Sequence, residues 1–264
     1  MSAGGRRSFT SHLGMPFGAI IIGDEILRGK RQDKHLAKVI EILGARGLTL
    51  DWAEYLGDSP ERITATLVRT FATGDAVFSF GGIGATPDDH TRQCVAAALG
   101  VDLVLHPEGE RLVRTRFGAE TTPFRLKMVE FPAGADIIPN AYNQIPGFSV
   151  RDHHFVPGFP IMAWPMVEGV LDTRYAHLHH RTPEAEAAII VYGSAESTLT
   201  PLMVEVESKY RRLKVFSLPH VGEDGTRRHI ELGVRGEPTE VAEAIAMLKT
   251  GVAGTGATFE PAGA

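Results

Sequence analysis

Residues 76–89, AVFSFGGIGATPDD, give the strongest indication of the fold. Its first five residues form an apolar run that predicts a buried strand. Three glycines follow within four positions, and the helical pattern resumes from about Asp89 to Leu99. The stretch therefore predicts a strand that ends in a glycine-rich turn at the N-terminus of a helix, a place where α/β proteins hold anions.

The residues before this stretch show the same alternation. Residues 17–22, FGAIII, predict a first buried strand, and residues 48–56 predict a second. Helical periodicity follows each of them, over residues 33–46 and from Ser59-Pro60 onward. Alternating strands and helices predict right-handed crossovers, and hence an α/β fold of three layers with a mostly parallel sheet.

The composition changes at residues 177–183, HLHHRTP, which predict a linker. After it we expect a smaller α+β domain with the order strand, helix, strand, strand, helix. The predicted organisation is listed by residue number: a flexible leader 1–16, a large domain 17–176, a linker 177–186, a small domain 187–250, and a disordered glycine- and alanine-rich tail 251–264.

Composition and charge narrow the class of protein. The chain is 43% hydrophobic with a formal net charge of −5, which favours a globular enzyme or binding protein and argues against nucleic acid as a partner. No apolar run approaches the roughly 18 residues of a membrane span, and the leader lacks the apolar core of a signal peptide. The single cysteine, Cys94, excludes an internal disulfide and predicts a buried thiol, the alternative being a catalytic nucleophile. A reducing, cytoplasmic location fits.

The glycine loop is the strongest candidate for a binding site. Glycines let backbone N–H groups approach a ligand closely, and the helix that follows directs its positive end to the same place. A phosphate or another anion is expected there, although a plain tight turn is the alternative, and the P-loop sequence Gly-Lys-Ser/Thr is absent. The residues assigned to ligand binding are Gly23, Gly81, Gly82, Gly84, Thr86 and Arg92.

Carboxylates flank this loop on both sides. Asp88-Asp89 follow the glycines, and Asp24-Glu25 follow the first strand. Strands one and three are expected to be neighbours, so their loops meet at one edge of the sheet. Carboxylates beside an anion favour a divalent cation such as Mg²⁺, with Asp24, Glu25 and Asp88 as ligands and Asp24, Asp88 and Asp89 in catalysis. The alternatives are that Asp89 caps the helix and that Asp24-Glu25 form a solvated turn.

Other polar segments are weaker candidates. Residues 29–35, GKRQDKH, could place cations at the rim of the crevice or form a solvated loop with a helix cap. The histidines at 153–154 and 177–180 lack the spacing of a metal site, so we predict surface or linker positions for them. No Ser-His-Asp arrangement stands out.

Three segments together resemble a known family: residues 23–29, GDEILRG, the pair Gly57-Asp58, and residues 81–92, GGIGATPDDHTR. They are similar to the molybdopterin-binding domain superfamily, in particular the competence/damage-inducible protein A (CinA) group. Residues 131–135, 145–148 and 156–160 follow in the expected order. The resemblance covers residues 17–175, and it implies that the small domain is KH-like and that the chain forms a homo-oligomer.

The resemblance implies a small-molecule ligand of the pterin-phosphate or nucleotide type. Molybdenum-cofactor enzymes of the superfamily adenylylate molybdopterin or insert molybdate, and the CinA branch is linked to metal-dependent ADP-ribose pyrophosphatase activity. Full-length CinA proteins also carry a nicotinamide-nucleotide amidase domain, which we do not extend to this chain. Three readings follow: a metal-dependent pyrophosphatase, a molybdopterin-binding protein of cofactor biosynthesis, and a non-catalytic interaction module.

The sequence departs from the family pattern at three places. His35 and Ala85 stand where the family usually has Asn and Pro, and residues 161–164, IMAW, lack the acidic residue that usually follows the last Pro-Gly-x-Pro motif. These departures imply either an altered specificity or a site that binds without catalysis.

Overall fold

The computed structural model describes residues 15–180, 185–222 and 227–263. The chain divides into two units, Met1–His179 and His180–Ala264, and this boundary lies within the predicted linker. Residues 1–14 of the predicted leader and residues 181–184 of the linker lie outside the described residues.

Strands and helices alternate in the first half of the first unit, as predicted. The strands are β1 (Phe17–Ile22), β2 (Leu50–Leu56), β3 (Ala76–Phe80), β4 (Leu103–Leu105), β5 (Glu130–Pro132), β6 (Asp136–Ile138), β7 (Gly147–Val150) and β8 (His153–Val156). The helices are α1 (Asp24–Leu27), α2 (His35–Gly44), α3 (Pro60–Thr70), α4 (Thr91–Leu99), α5 (Pro107–Phe117), α6 (Pro123–Lys127) and α7 (Pro160–Arg174).

Six of these strands form the central sheet, in the order β2-β1-β3-β8-β7-β6. β2, β1, β3 and β8 run parallel, whereas β7 is antiparallel to both of its neighbours. The predicted neighbourhood of the first and third strands is confirmed by the parallel pairing of β1 with β3. The sheet is therefore mostly parallel, and the carboxyl ends of its first three strands lie along one edge.

Helices cover both faces of this sheet, which gives the three predicted layers. One core lies between the sheet and α2 and α7, with Phe78 and Phe80 from β3 facing it. The second core lies on the other face, where Ile63 of α3 and Val95 of α4 pack near Val77. All six residues of β1 and all five of β3 are buried, because a central strand covered on both faces has no side exposed to solvent.

The described residues of the second unit form six elements: β9 (Ala185–Tyr192), α8 (Glu196–Lys209), β10 (Leu213–His220), β11 (His229–Gly236), α9 (Pro238–Gly254) and β12 (Thr258–Pro261). Its antiparallel sheet has the order β10-β11-β9-β12. The helices cover one face through a core that includes Leu199, Val206, Leu232 and Leu248.

This unit corrects the prediction of a disordered tail. Residues 258–261, expected in a disordered tail, form β12 and pair antiparallel with β9, and residues 251–254 extend α9. With this fourth strand the unit has the order β-α-β-β-α-β of the ferredoxin-like fold. Glycine and alanine in the tail weaken its strand signal, and pairing with β9 supplies the order that local propensity does not.

In the part of the chain that the structure describes, no helix combines the length and apolarity needed to cross a lipid bilayer.

Candidate functional site

The loops after β1, β2 and β3 meet at the carboxyl edge of the sheet. The N–H of Gly23 donates to the carbonyl of Leu56 at 3.0 Å, which joins the first loop to the end of β2. The N–H of Gly81 donates to the carbonyl of Val156 at 3.0 Å, which joins the third loop to the end of β8. We call the region at this edge of the sheet, where these loops meet, the crevice.

Two glycines of the loop 81–89, which we call the glycine loop, are required by close approach and by backbone conformation. Gly81 has φ 98°, and a Cβ there would lie 2.5 Å from the carbonyl oxygen of Ile22. Gly82 has φ 69°, and a Cβ there would lie 2.2 Å from Thr91 Oγ1. Neither the left-handed backbone nor the space tolerates a side chain, so the sequence GG fixes the path of the loop.

The first turn of α4 is hydrogen-bonded to the glycine loop. The hydroxyl of Thr91 donates to the carbonyl of Gly81 at 3.1 Å, and the N–H of Thr91 donates to the carbonyl of Gly82 at 3.0 Å. Thr91 is fully buried. Thr91 therefore anchors the loop to the helix, and sequence reasoning missed this residue because its role appears only when the loop is folded.

Several backbone N–H groups of the glycine loop have no hydrogen-bond acceptor in the described part of the protein. Within the described residues, the N–H groups of Gly82, Ile83, Gly84 and Ala85 donate to no protein acceptor. Four consecutive free donors beside the positive end of a nine-residue helix form the kind of surface that binds anions.

Arg92 does not face the crevice. Only 3% of it is exposed, and its Nη2 donates to the carbonyl of Gly84 at 2.6 Å. Its Nη1 donates to the carbonyls of Lys127 and Glu130. The prediction that Arg92 contacts a phosphate directly is therefore corrected: the guanidinium turns inward, because three main-chain carbonyls offer it acceptors there.

At the acidic end of the glycine loop, Thr86 hydrogen-bonds to both Asp88 and Asp89. The hydroxyl of Thr86 lies 2.6 Å from Asp88 Oδ1 and 2.5 Å from Asp89 Oδ2, and the N–H of Thr86 donates to Asp89 Oδ2 at 2.8 Å. The residue that precedes α4 is His90, whose side chain makes no capping bond. The alternative that Asp89 caps α4 is therefore wrong, because Asp89 closes the turn at Thr86 instead.

Asp88 remains exposed, and its pKa is lowered by the hydrogen bond from Thr86, by its own backbone N–H and by the charge of His90. It is ionised at neutral pH. The structure thus leaves Asp88 able to meet a ligand, whereas Thr86 and Asp89 are engaged with each other.

Asp24 lies opposite a carboxylate that the site assignments omitted, Asp58. The N–H of Asp24 donates to Asp58 Oδ2 at 3.0 Å, and the N–H of Asp58 donates to Asp24 Oδ1 at 3.3 Å. The pKa of Asp58 is raised by burial and by the negative charges of Asp24, Glu25 and Asp88. The charges of both acidic loops thus act on Asp58 at the carboxyl edge of the sheet, where the parallel order of β2, β1 and β3 places these loops, as predicted. The Gly57-Asp58 pair of the resemblance was the available signal for Asp58.

The predicted metal ligands do not form a cage by themselves. Within the described residues, no group of three His, Cys, Asp or Glu side chains is arranged to hold a metal ion. Asp24 is paired with Arg28 at 2.6 Å, and Glu25 lies 3.8 Å from Arg31. The divalent cation is therefore a prediction that these residues do not support without oxygen atoms from a ligand.

His35, the departure from the family pattern, lies in the wall of the crevice. It is 4% exposed and stacks on Phe80, with ring centroids 4.5 Å apart. Its Nε2 lies 3.2 Å from the carbonyl of Gly158, and burial lowers its pKa. Nε2 must carry the proton to donate to a carbonyl, so the ring joins α2 to the loop after β8 in its neutral form.

The remaining candidates are structural. Cys94 is 2% exposed, and burial raises the pKa of its thiol, which confirms the prediction of a buried cysteine. His153 and His154 are buried, at 2% and 0% exposure, so their predicted surface position is wrong. They lie on a central strand of the sheet, which their polar side chains concealed in the sequence.

Comparison with known proteins places this geometry in a family. Residues 18–177 match the family model described as "Probable molybdopterin binding domain". A CinA-like protein of Anaeromyxobacter dehalogenans is 36% identical over 146 residues, which are 53% of this chain and 36% of that protein. A protein of Caldivirga maquilingensis is 30% identical over 197 residues, covering 71% of this chain and 74% of that protein.

A solved structure agrees. The crystal structure of the protein CinA of Thermoplasma acidophilum, described as having unknown function, is 25% identical, with a TM-score of 0.55, and covers 60% of this chain and 97% of that one. The chain spans about a third of the length of the A. dehalogenans relative, of which 36% is matched. Because the family model matches more than half of the chain, the chain belongs to the family of probable molybdopterin binding domains, and it is similar to CinA-like proteins.

Proposed function

We propose that the crevice binds a phosphate-bearing small molecule of the pterin or nucleotide class, with molybdopterin as one such ligand. The observation that carries the proposal is the run of free main-chain donors from Gly82 to Ala85 at the N-terminus of α4. Such donors recognise the oxygens of a phosphate without a charged side chain. The match to a molybdopterin-binding family supports a pterin as the organic part.

Direct titration of the whole chain tests this proposal. AMP, ADP-ribose and oxidised molybdopterin are titrated by calorimetry or pterin fluorescence, with and without Mg²⁺. We expect saturable binding of at least one, and at least a tenfold loss of affinity in Gly82→Ala, whose Cβ would lie 2.2 Å from Thr91 Oγ1. Gly44→Ala is the matched control, because Gly44 is exposed and a Cβ there meets nothing within 4 Å. Folded protein that binds none of the three would contradict the proposal.

A second candidate is hydrolysis of a phosphoanhydride held in the crevice. The convergence of Asp58 with Asp24, Glu25 and Asp88 favours it, since carboxylates at a phosphate site suit a cation carried in by the ligand. Water would add to one phosphorus as the bridging P–O bond breaks, so that ADP-ribose would yield AMP and ribose phosphate. We assign no resident metal ion, because no group of three described His, Cys, Asp or Glu side chains is arranged to hold one.

Product analysis separates hydrolysis from binding. The chain is incubated with ADP-ribose and Mg²⁺, Mn²⁺ or Co²⁺, and AMP is measured by chromatography. Turnover that Asp88→Asn reduces would support the hydrolase. Binding without turnover under every metal would favour a role in molybdenum-cofactor assembly, or a non-catalytic module.

A further inference from the structure

The first turn of α4 holds three carbonyls of the glycine loop. The side chain of Thr91 holds that of Gly81, and the N–H of Thr91 holds that of Gly82. The guanidinium of Arg92 holds that of Gly84. Two adjacent residues of the helix thus fix three peptide groups of the loop.

Fixing a carbonyl also fixes the next N–H. In a planar trans peptide, the carbonyl of one residue and the N–H of the following residue point in opposite directions. The N–H groups of Gly82, Ile83 and Ala85 must therefore point away from α4, and they are among the donors without an acceptor in the described residues. The loop presents its donors outward because α4 draws its carbonyls inward.

Arg92 is an unusual choice for this task. Among the described residues, its three hydrogen-bond acceptors are all neutral carbonyls, and its Nε has no partner. Burying a charge without a bonded counter-ion is energetically unfavourable. Burial lowers the pKa of the guanidinium, although the charges of Glu130 and Asp89 oppose this. The charged guanidinium is thus buried next to the free N–H groups of the glycine loop, although burial of this charge is unfavourable.

We propose that Arg92 is a positioning residue of the anion site: it fixes the Gly84–Ala85 peptide so that the N–H of Ala85 joins those of Gly82 and Ile83, and its buried charge strengthens their hold on a phosphate. The identity of the ligand rests on the proposed function. The orientation of the peptide does not, so the two statements are tested separately.

The binding test uses Arg92→Met, Arg92→Lys and the control Arg46→Met. Arg46 is a fair match because its Nη1 also donates to a main-chain carbonyl, that of Ile42 at 3.0 Å, but at the C-terminal end of α2. AMP and adenosine are titrated into each whole chain well below its melting temperature. We expect Arg92→Met to lose tenfold or more of the affinity for AMP with little change for adenosine, Arg92→Lys to recover part of it, and Arg46→Met to match the parent chain.

A purely structural staple would give a different result. It would lower the melting temperature of Arg92→Met but leave the affinity of the folded protein for AMP unchanged, and that outcome overturns the proposal. If the parent chain binds no phosphate probe, the proposed function fails, and the crystal structure of Arg92→Met then decides the positioning role. A Gly84–Ala85 peptide that keeps its orientation in that variant overturns the role, and a turned peptide supports it.

Discussion

The glycine loop and the β7–β8 hairpin are two polar regions of the same unit, and they leave their polar atoms in opposite states. In the loop, consecutive main-chain donors have no acceptor within the described residues. At the hairpin, Ser149, His154 and Asp152 form one hydrogen-bonded chain with Tyr175, which follows α7. Open donors at a crevice are available to a ligand, whereas closed ones in a core hold the fold together.

The proton positions in the hairpin follow from its partners. The hydroxyl of Tyr175 donates to Asp152 Oδ1 at 3.0 Å, so His154 Nε2 must donate to the Tyr175 oxygen at 2.7 Å. Burial lowers the pKa of His154, so the ring carries no second proton and its Nδ1 accepts from the hydroxyl of Ser149 at 2.8 Å. The ring is therefore neutral, and every member of the chain is satisfied.

Acidification should give the largest effect, and it should act on the hairpin. Burial lowers the pKa of His153 to about 4 and that of His154 to about 3. Between pH 6.5 and 4 the unfolded chain binds protons that the folded chain excludes, so stability falls as the pH falls. From pH 7 to pH 5 we expect the free energy of unfolding to fall by about 4 kcal/mol from these two groups.

Urea unfolding at the two pH values measures this change. The double variant His153→Gln/His154→Gln should lose most of the difference, whereas the exposed His177→Gln should keep it. If the parent chain and the double variant respond equally to pH, the buried histidines are not its source.

Tyr175→Phe should give the next largest effect, because it opens the closed chain. The variant leaves His154 Nε2 without its acceptor and Asp152 without a donor, and an unsatisfied buried group costs about 1–3 kcal/mol. We expect that loss in the free energy of unfolding, with the affinity for AMP unchanged. A loss of AMP affinity in the folded variant would break the distinction between the two regions.

Asp58→Asn should give the smallest effect, at the open site. The amide oxygen can still accept from the N–H of Asp24, while one negative charge leaves the crevice. Without a divalent cation we expect the affinity for AMP to rise about two- to fivefold, on the order of 1 kcal/mol or less. Asp102→Asn is the control, because Asp102 is exposed and follows the opposite end of α4. Unchanged affinity in Asp58→Asn would place this carboxylate outside the field of the ligand.

The alternation of strands and helices and the glycine loop follow from the amino-acid sequence alone. These features depend on local patterns: apolar runs such as residues 17–22, the cap at Ser59, and glycines where no Cβ fits. Periodicity and steric exclusion act over a few residues, so they can be read from the chain. The adjacency of the first and third strands, and with it the meeting of the loop carboxylates at one edge, is predicted instead from the usual topology of doubly wound sheets.

The directions of the polar side chains, by contrast, became clear only in the folded structure. Arg92 was expected to face a ligand and instead holds Gly84, and His154 was expected at the surface and lies at 0% exposure. β12 forms because β9 offers it an edge. The direction of a long side chain and the pairing of a weak strand depend on partners distant in sequence, and the hydrogen bonds that decide them exist only once the chain has folded.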